Sequence, residues 1–393
     1  MIPSDTLGWG IARNCIREVY EYGLRLKAEI GEDKVFDFSL GNPSVPAPPQ
    51  VKEAILKALE DPTLHDYTVA PGRPSLRKAI SDQLNARCGV NTEYTDIYVT
   101  CGASAAVTSS IRALTRIGEE VVALAPHYPE YPVFTRTAGG KFVVCSLRRE
   151  DLQLDEAALE AVLTEKTAVV LVNSPNNPAG SVLTEDSLKR LAKVLHKAQE
   201  KFGHPIYIVS DEPYRELEYD GKQVPSPISF YENTVVCYSY SKSLSLPGER
   251  IGYCAVSDRA ADREKVFASV AGAARSYGYV NPPSLMQRVI EACVDLKPDV
   301  STYKENRDIL CSILDEVKMP YIHPDGAFYL FIRCPIPDAK EFCEHARKYG
   351  LLLVPSNDFG ITGYARAAYC VKGEMIRRSL PAFRSLAQEY GLC

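Results

Sequence analysis

Between Ile97 and Tyr238, short apolar runs rich in β-branched residues alternate with longer stretches of helical pattern. The runs lie at Ile97–Thr100, Val121–Ala125, Lys141–Ser146, Ala168–Asn173, Ile206–Ser210 and Thr234–Tyr238. Their length and their breaker residues predict buried strands. C-G-A-S-A-A-V-T-S-S-I-R opens one intervening helix. Thr184 caps another that runs to about Glu200, with acids in its first turn. Strands and helices in regular turn predict an α/β fold, a mostly parallel, doubly wound sheet with helices on both faces. Such a sheet gathers its ligand at the carboxyl ends of the strands.

At 393 residues the chain exceeds the usual size of one core. The expected division is residues 1–45 as an N-terminal arm with part of a small domain, 46–285 as the large domain, and 286–393 as a small α+β domain. Ile11–Ile30 has the pattern of an amphipathic helix, with Ile16, Val19, Tyr20, Leu24 and Leu26 on one side. Val35–Leu40 alternates like a short strand and runs into a proline-rich loop. Helices are expected at 50–60, and at 74–87 with Gly89 just past its end. Beyond Tyr253, helices are expected at 258–274, 283–294, 303–317 and 373–390. Short strands are expected at 328–331, 351–354 and 365–369.

A net charge of −5 gives no support for nucleic-acid binding, which favours a basic face. The opening M-I-P-S-D-T-L-G-W-G lacks the basic start and apolar core of a signal peptide, and no apolar run is long enough to span a bilayer. Twelve cysteines are scattered without a C-x-x-C pair, so the expectation is buried thiols in a reducing cytoplasm, with no zinc site.

The chemistry concentrates in S-Y-S-K-S-L-S-L-P-G-E-R, where Lys242 sits among serines at the end of the Thr234–Tyr238 run and Arg250 follows. Hydroxyls and a guanidinium around a lysine suit a phosphorylated ligand whose aldehyde the amine could capture. Three other loops follow predicted strands: G-A-S after Thr100, N-N-P-A-G after Asn173 and D-E-P-Y after Ser210. Gly102, Ala103 and Ser104 open a helix with no bulky side chain, leaving backbone N–H groups free for an anion. Asp211 ends an apolar strand and needs a partner there, either a cap or cation of the protein or a protonated ring nitrogen.

These motifs, in this order and spacing, resemble those of the fold-type I, class I/II pyridoxal-phosphate-dependent aminotransferases, and the resemblance spans essentially the whole chain. P-D-G-A-F-Y-L at 324–330 and P-S-N-D-F-G at 355–360 are similar to the family's small-domain segments. The resemblance implies a seven-stranded type of sheet, pyridoxal 5'-phosphate as cofactor, and a homodimer. It implies that Lys242 bonds the cofactor and then shuttles the proton, and that Asp211 pairs with the ring nitrogen. Asn177 and Tyr214 correspond to the partners of the ring's phenolic oxygen, and Tyr128 to the residue stacked on the ring face. The backbone of Gly102, Ala103 and Ser104, with Ser239, Ser241 and Arg250, corresponds to the phosphate cup. Tyr67 matches the tyrosine that reaches the neighbouring subunit's phosphate. Arg366 matches the arginine that clamps the substrate α-carboxylate, with Gly41 meeting the same group.

The substrates so implied are an L-amino acid and a 2-oxo acid, exchanged by a ping-pong mechanism. An elimination enzyme such as a carbon–sulfur β-lyase is the alternative on the same scaffold, and a non-catalytic regulatory protein is the alternative of another class. G-N-P-S stands where many relatives have G-x-P-D, and the G-A-S cup lacks a threonine some members use. Arg275, ahead of Asn281-Pro282-Pro283, is a candidate for the substrate's side chain. His127 is expected to be an ordinary loop residue, and Tyr277 and Tyr279 packing or interface residues.

Overall fold

The computed structural model describes residues 3–12, 14–221 and 223–392. Met1 and Ile2 of the expected arm, and Arg13 in the expected Ile11–Ile30 helix, lie outside the described residues.

A seven-stranded sheet forms the centre of the molecule. Its strands run in the order Ile97–Thr100, Gly252–Val256, Thr234–Ser239, Tyr207–Asp211, Thr167–Asn173, Glu120–Ala125 and Lys141–Ser146. The Thr234–Ser239 strand and those beyond it pair in parallel. Gly252–Val256 is antiparallel to both of its neighbours. The four central parallel strands bury every residue except Glu120, as strands covered by helices on both faces must.

The Gly252–Val256 strand is not among the strands expected from sequence. It pairs tightly because residue 252 is glycine. A Cβ there would overlap the Tyr238 carbonyl oxygen and crowd Gly102.

A second, antiparallel sheet is formed by Val354–Pro355, Tyr364–Ala368, Tyr329–Arg333 and Tyr321–Ile322. The only regular strand in the expected Val35–Leu40 run is Phe36–Asp37, which pairs in parallel with Leu351–Leu352. The N-terminal segment is thus tied to the C-terminal part of the chain.

Helix boundaries differ from expectation where side chains intervene. In place of one helix from Ile11 the chain forms Ser4–Ile11 and Cys15–Ile30. Asn14 caps the second by accepting from the Arg17 N–H at 3.0 Å. Its buried stripe is Cys15, Val19 and Gly23, whereas Leu24 is half exposed. Leu24 lies five residues beyond Val19, about 140° around a helix of 3.6 residues per turn. The expected 373–390 helix is two, Gly373–Arg378 and Leu380–Glu389, with Pro381 starting the second. Helices at Tyr131–Thr137, Glu156–Val162 and Ala339–Lys348 were not anticipated.

Candidate active site

The carboxyl ends of the central strands face a cleft of about 290 Å³. Its walls include Gly41, Ala103, Ser104, Tyr128, Asn177 and Asp211. Tyr214, Ser239, Ser241, Lys242, Arg250 and Arg366 also line it, whereas Gly102, Tyr67 and Arg275 of the expected set do not.

Lys242 is carried on a single helical turn, Tyr240–Ser243, that continues directly from the Thr234–Ser239 strand. Ser239 makes that turn possible: its hydroxyl accepts from the Ser241 N–H at 3.2 Å and lies 2.7 Å from the Ser241 hydroxyl. Lys242 Nζ donates to the Gly41 carbonyl at 2.8 Å, bridging to the N-terminal loop. Burial pushes the Lys242 amine down to about 8. The positive charges of Arg250 and Arg366 act in the same direction, and the Cys370 thiol opposes them.

One pole of the cleft is built for an anion. The Ala103–Leu114 helix starts there, and Gly102 precedes it with a φ of 82°. A Cβ on Gly102 would lie 2.7 Å from the Arg250 guanidinium, so glycine is what lets that cation approach the helix start. Arg250 itself holds a left-handed backbone, φ 49°, fixed by a 2.9 Å bond from its guanidinium to the Pro247 carbonyl. Free N–H groups, a helix dipole, a guanidinium and serine hydroxyls therefore converge.

The deeper wall carries Asp211. Its Oδ2 accepts a 2.6 Å hydrogen bond from the Tyr131 hydroxyl, whereas its Oδ1 is buried without a partner among the described residues. Burial raises the Asp211 carboxyl to about 7; the Tyr131 bond works against that rise and neighbouring Glu212 adds to it. Asn173 bridges two strand ends, donating to the Asp211 carbonyl at 2.9 Å and accepting from the Asn177 N–H at 2.8 Å. Asn177 Oδ1 in turn accepts from Arg366 at 3.0 Å. Arg366 is almost wholly buried, and its second terminal nitrogen donates to the Ser39 carbonyl while Nε has no partner among the described residues.

Sequence reasoning missed several residues here. Tyr131 holds Asp211, and Tyr329 places its hydroxyl 2.9 Å from that of Tyr214. Ile16 reaches the cleft from the N-terminal helix, whose start is pinned by Asn14 to Glu130 at 2.7 Å and by the Cys15 N–H to Asp358 at 3.0 Å. Tyr329 lies inside the P-D-G-A-F-Y-L segment already singled out, and Tyr131 lies three residues after Tyr128, but nothing local distinguishes them from the aromatic residues beside them.

Tyr67 is fully exposed and Arg275 is on the surface; neither lines the cleft of this single chain. His127 is buried and also outside the cleft wall. Its ring packs edge-on to Phe142 with centroids 5.0 Å apart, and burial lowers its pKa. Among the described residues no cluster of three or more His, Cys, Asp or Glu could hold a metal ion, and no helix is long and apolar enough to cross a membrane.

The donor set fits pyridoxal 5'-phosphate. The anion pole suits a phosphate, the unpaired Asp211 Oδ1 suits a protonated ring nitrogen, and a buried amine lies in the same cleft. The unpaired Arg366 Nε leaves that guanidinium able to take a carboxylate.

Comparison with known proteins agrees with this chemistry. The family model "Aminotransferase class I and II" matches residues 33–383. A probable aspartate aminotransferase of Methanocaldococcus jannaschii is 30% identical over 391 residues, covering 96% of this chain and 97% of that protein. The aspartate/prephenate aminotransferase of Thermus thermophilus is 29% identical, covering 87% and 88%. Among solved structures, an amino transferase from Eubacterium rectale superposes with a TM-score of 0.97 at 42% identity, covering 100% of this chain and 99% of that one. The Thermus thermophilus aspartate aminotransferase with maleate gives 0.87 at 25% identity, covering 98% and 99%. With a family match over most of its length and a site of this composition, the chain belongs to the class I and II aminotransferases and is a pyridoxal-phosphate-dependent enzyme.

Proposed function

We propose that the enzyme passes the amino group of an L-amino acid to a 2-oxo acid in two half-reactions, with Lys242 moving the proton at the substrate Cα. The observation that carries this reading is a buried amine with a lowered pKa, in one cleft with both a phosphate-type pole and a carboxylate-binding arginine. Bound pyridoxal phosphate supplies the carbonyl that takes up the amine and the ring that accepts electrons from Cα. Arg366 holds the α-carboxylate, with Asn177 fixing the guanidinium and Gly41 admitting the group. Lys242, when neutral, removes the Cα proton and returns it one carbon away. Asp211 keeps a proton on the ring nitrogen, and Tyr214 donates toward the phenolic oxygen. With the cofactor bound, Tyr128 would pack against its ring, and Ser239, Ser241, Arg250 and the N–H groups of the Ala103–Leu114 helix start would hold its phosphate.

The working form is a homodimer in the cytoplasm, with Tyr67 serving the neighbouring subunit's phosphate. Glutamate is expected as one co-substrate. Relatives named for aspartate and prephenate suggest a dicarboxylate on the other side, with Arg275 of a neighbouring subunit as the candidate second cation. A half-reaction screen tests the reading. Each amino acid is added to cofactor-loaded enzyme, and the long-wavelength absorbance is followed. Bleaching by glutamate, reversed by 2-oxoglutarate, is the expected result; no bleaching by any amino acid would overturn it.

A further inference from the structure

Tyr329 is the first residue of the Tyr329–Arg333 strand, which pairs antiparallel with Tyr364–Ala368. The register sets Phe331 opposite Arg366, and Tyr329 opposite Ala368. Residues two apart on a strand share a face, so Tyr329 and Arg366 become diagonal neighbours on one face. The Arg366 guanidinium lies 4.8 Å from the centroid of the Tyr329 ring and 5.6 Å from that of Phe359. It is held by two ring contacts as well as by its bonds to Asn177 and Ser39.

The other end of Tyr329 meets a different part of the site. Its hydroxyl is 2.9 Å from the Tyr214 hydroxyl, buried from solvent. A hydroxyl has one proton to give. If Tyr214 gives its proton to an oxygen in the cleft, its own oxygen is free to accept from Tyr329. The Tyr329 hydroxyl also fills the space beside Gly41: a Cβ on Gly41 would overlap it. The Gly41 carbonyl is the acceptor for Lys242.

We propose that Tyr329 is a positioning residue joining the two ends of the site, its ring orienting Arg366 for the substrate carboxylate and its hydroxyl donating to Tyr214 so that Tyr214 donates into the cleft. This goes beyond the assigned roles and rests on the proposed reading of Tyr214 and Arg366. The two halves of the residue act on different observables, so they separate by substitution.

Tyr329→Phe keeps the ring and removes the hydroxyl. Tyr214 becomes a weaker donor to the phenolic oxygen, and the pH midpoint of the absorbance change of the loaded enzyme shifts upward. A neutral hydrogen bond supports a shift of roughly half to one unit. KM for glutamate stays close to wild type. Tyr329→Leu removes the ring as well, and KM for glutamate rises on the order of tenfold, as loss of a partly buried cation–π contact implies.

An unchanged midpoint in Tyr329→Phe, or a KM raised equally by both substitutions, would overturn the coupling. A poorly folded Leu variant does not rescue the idea, because the midpoint of Tyr329→Phe decides it alone. Failure of the wild-type enzyme to bleach with any amino acid would instead overturn the functional reading itself.

Discussion

The Tyr131 hydroxyl donates to one oxygen of Asp211 at 2.6 Å and leaves the other oxygen buried without a partner among the described residues. The carboxylate is thereby oriented at the expense of folding energy, since a buried charge without a counter-charge is unfavourable. Function and stability consequently oppose each other at this residue.

Asp211→Asn should show the opposition directly. Asp211 titrates at about 7 in the folded, cofactor-free protein, against an ordinary 3.8. Between those values the folded state binds the extra proton, so stability falls as pH rises through that window and stays low above it. The Asn variant cannot ionise. Without cofactor at pH 8 it should be more stable than wild type, by on the order of 2–4 kcal/mol, with the difference vanishing near pH 4. With cofactor it should bind but turn over 10- to 100-fold more slowly, as loss of a charged hydrogen bond of about 1.5–3 kcal/mol implies. Urea unfolding at the two pH values, together with kcat, checks both halves. Equal stability at pH 8 would remove the strain at Asp211.

Lys242 should capture cofactor in a strongly pH-dependent way. Only the neutral amine is a nucleophile, and burial has brought its pKa from 10.5 to about 8. In cofactor-free protein the rate of absorbance gain on adding pyridoxal phosphate should rise with pH up to about 8 and then level. An ordinary exposed lysine would keep rising beyond pH 10. Lys242→Ala should lose transamination, and borohydride reduction of wild type should label Lys242 on mass mapping.

Gly41→Ala should impair the site through Tyr329. The added methyl overlaps the Tyr329 hydroxyl and comes within 2.7 Å of its ring, which is itself buried. Overpacking of this kind costs about 1–3 kcal/mol, or roughly 5- to 150-fold in kcat/KM if the strain falls on the site. Adding Tyr329→Leu to Gly41→Ala should recover part of the loss. Simple additivity of the two losses in kcat/KM would argue that Gly41 acts elsewhere.

Tyr67 should act across a subunit boundary. It is fully exposed in the single chain, on the loop between the Pro49–Ala58 and Pro74–Cys88 helices. Mixing Tyr67→Phe subunits with Lys242→Ala subunits should give hybrid dimers with one unimpaired site, and activity above that of either parent. A fully active monomer at assay concentration, by sedimentation, would refute this. Arg275→Ala, assayed for kcat/KM on aspartate, glutamate, alanine and tyrosine, asks the same of the second exposed residue. Selective loss of the dicarboxylates is the expected outcome.

Much of the site is legible in the chain because strand ends are legible. Asp211, Asn177, Lys242 and the Gly102–Ser104 turn follow apolar runs whose period and β-branching mark them as buried strands, and a parallel sheet must bring such ends together. Arg250 is legible as the guanidinium that follows Lys242 in the same serine-rich stretch, whereas Arg366 entered by resemblance of a motif. What the sequence alone left open is which distant groups meet. The role of Gly252 in the Gly252–Val256 strand is not legible because the close antiparallel pairing it permits beside Thr234–Ser239 exists only in the folded chain. Tyr131 is 80 residues from Asp211, and Tyr329 is 115 from Tyr214. A tyrosine in an apolar stretch carries the same local signal whether it fills the core or orients a reacting group. Only packing decided, by setting one hydroxyl against a carboxylate and another between Tyr214 and Gly41, because hydrogen bonding requires contact and contact between remote segments is a property of the folded chain.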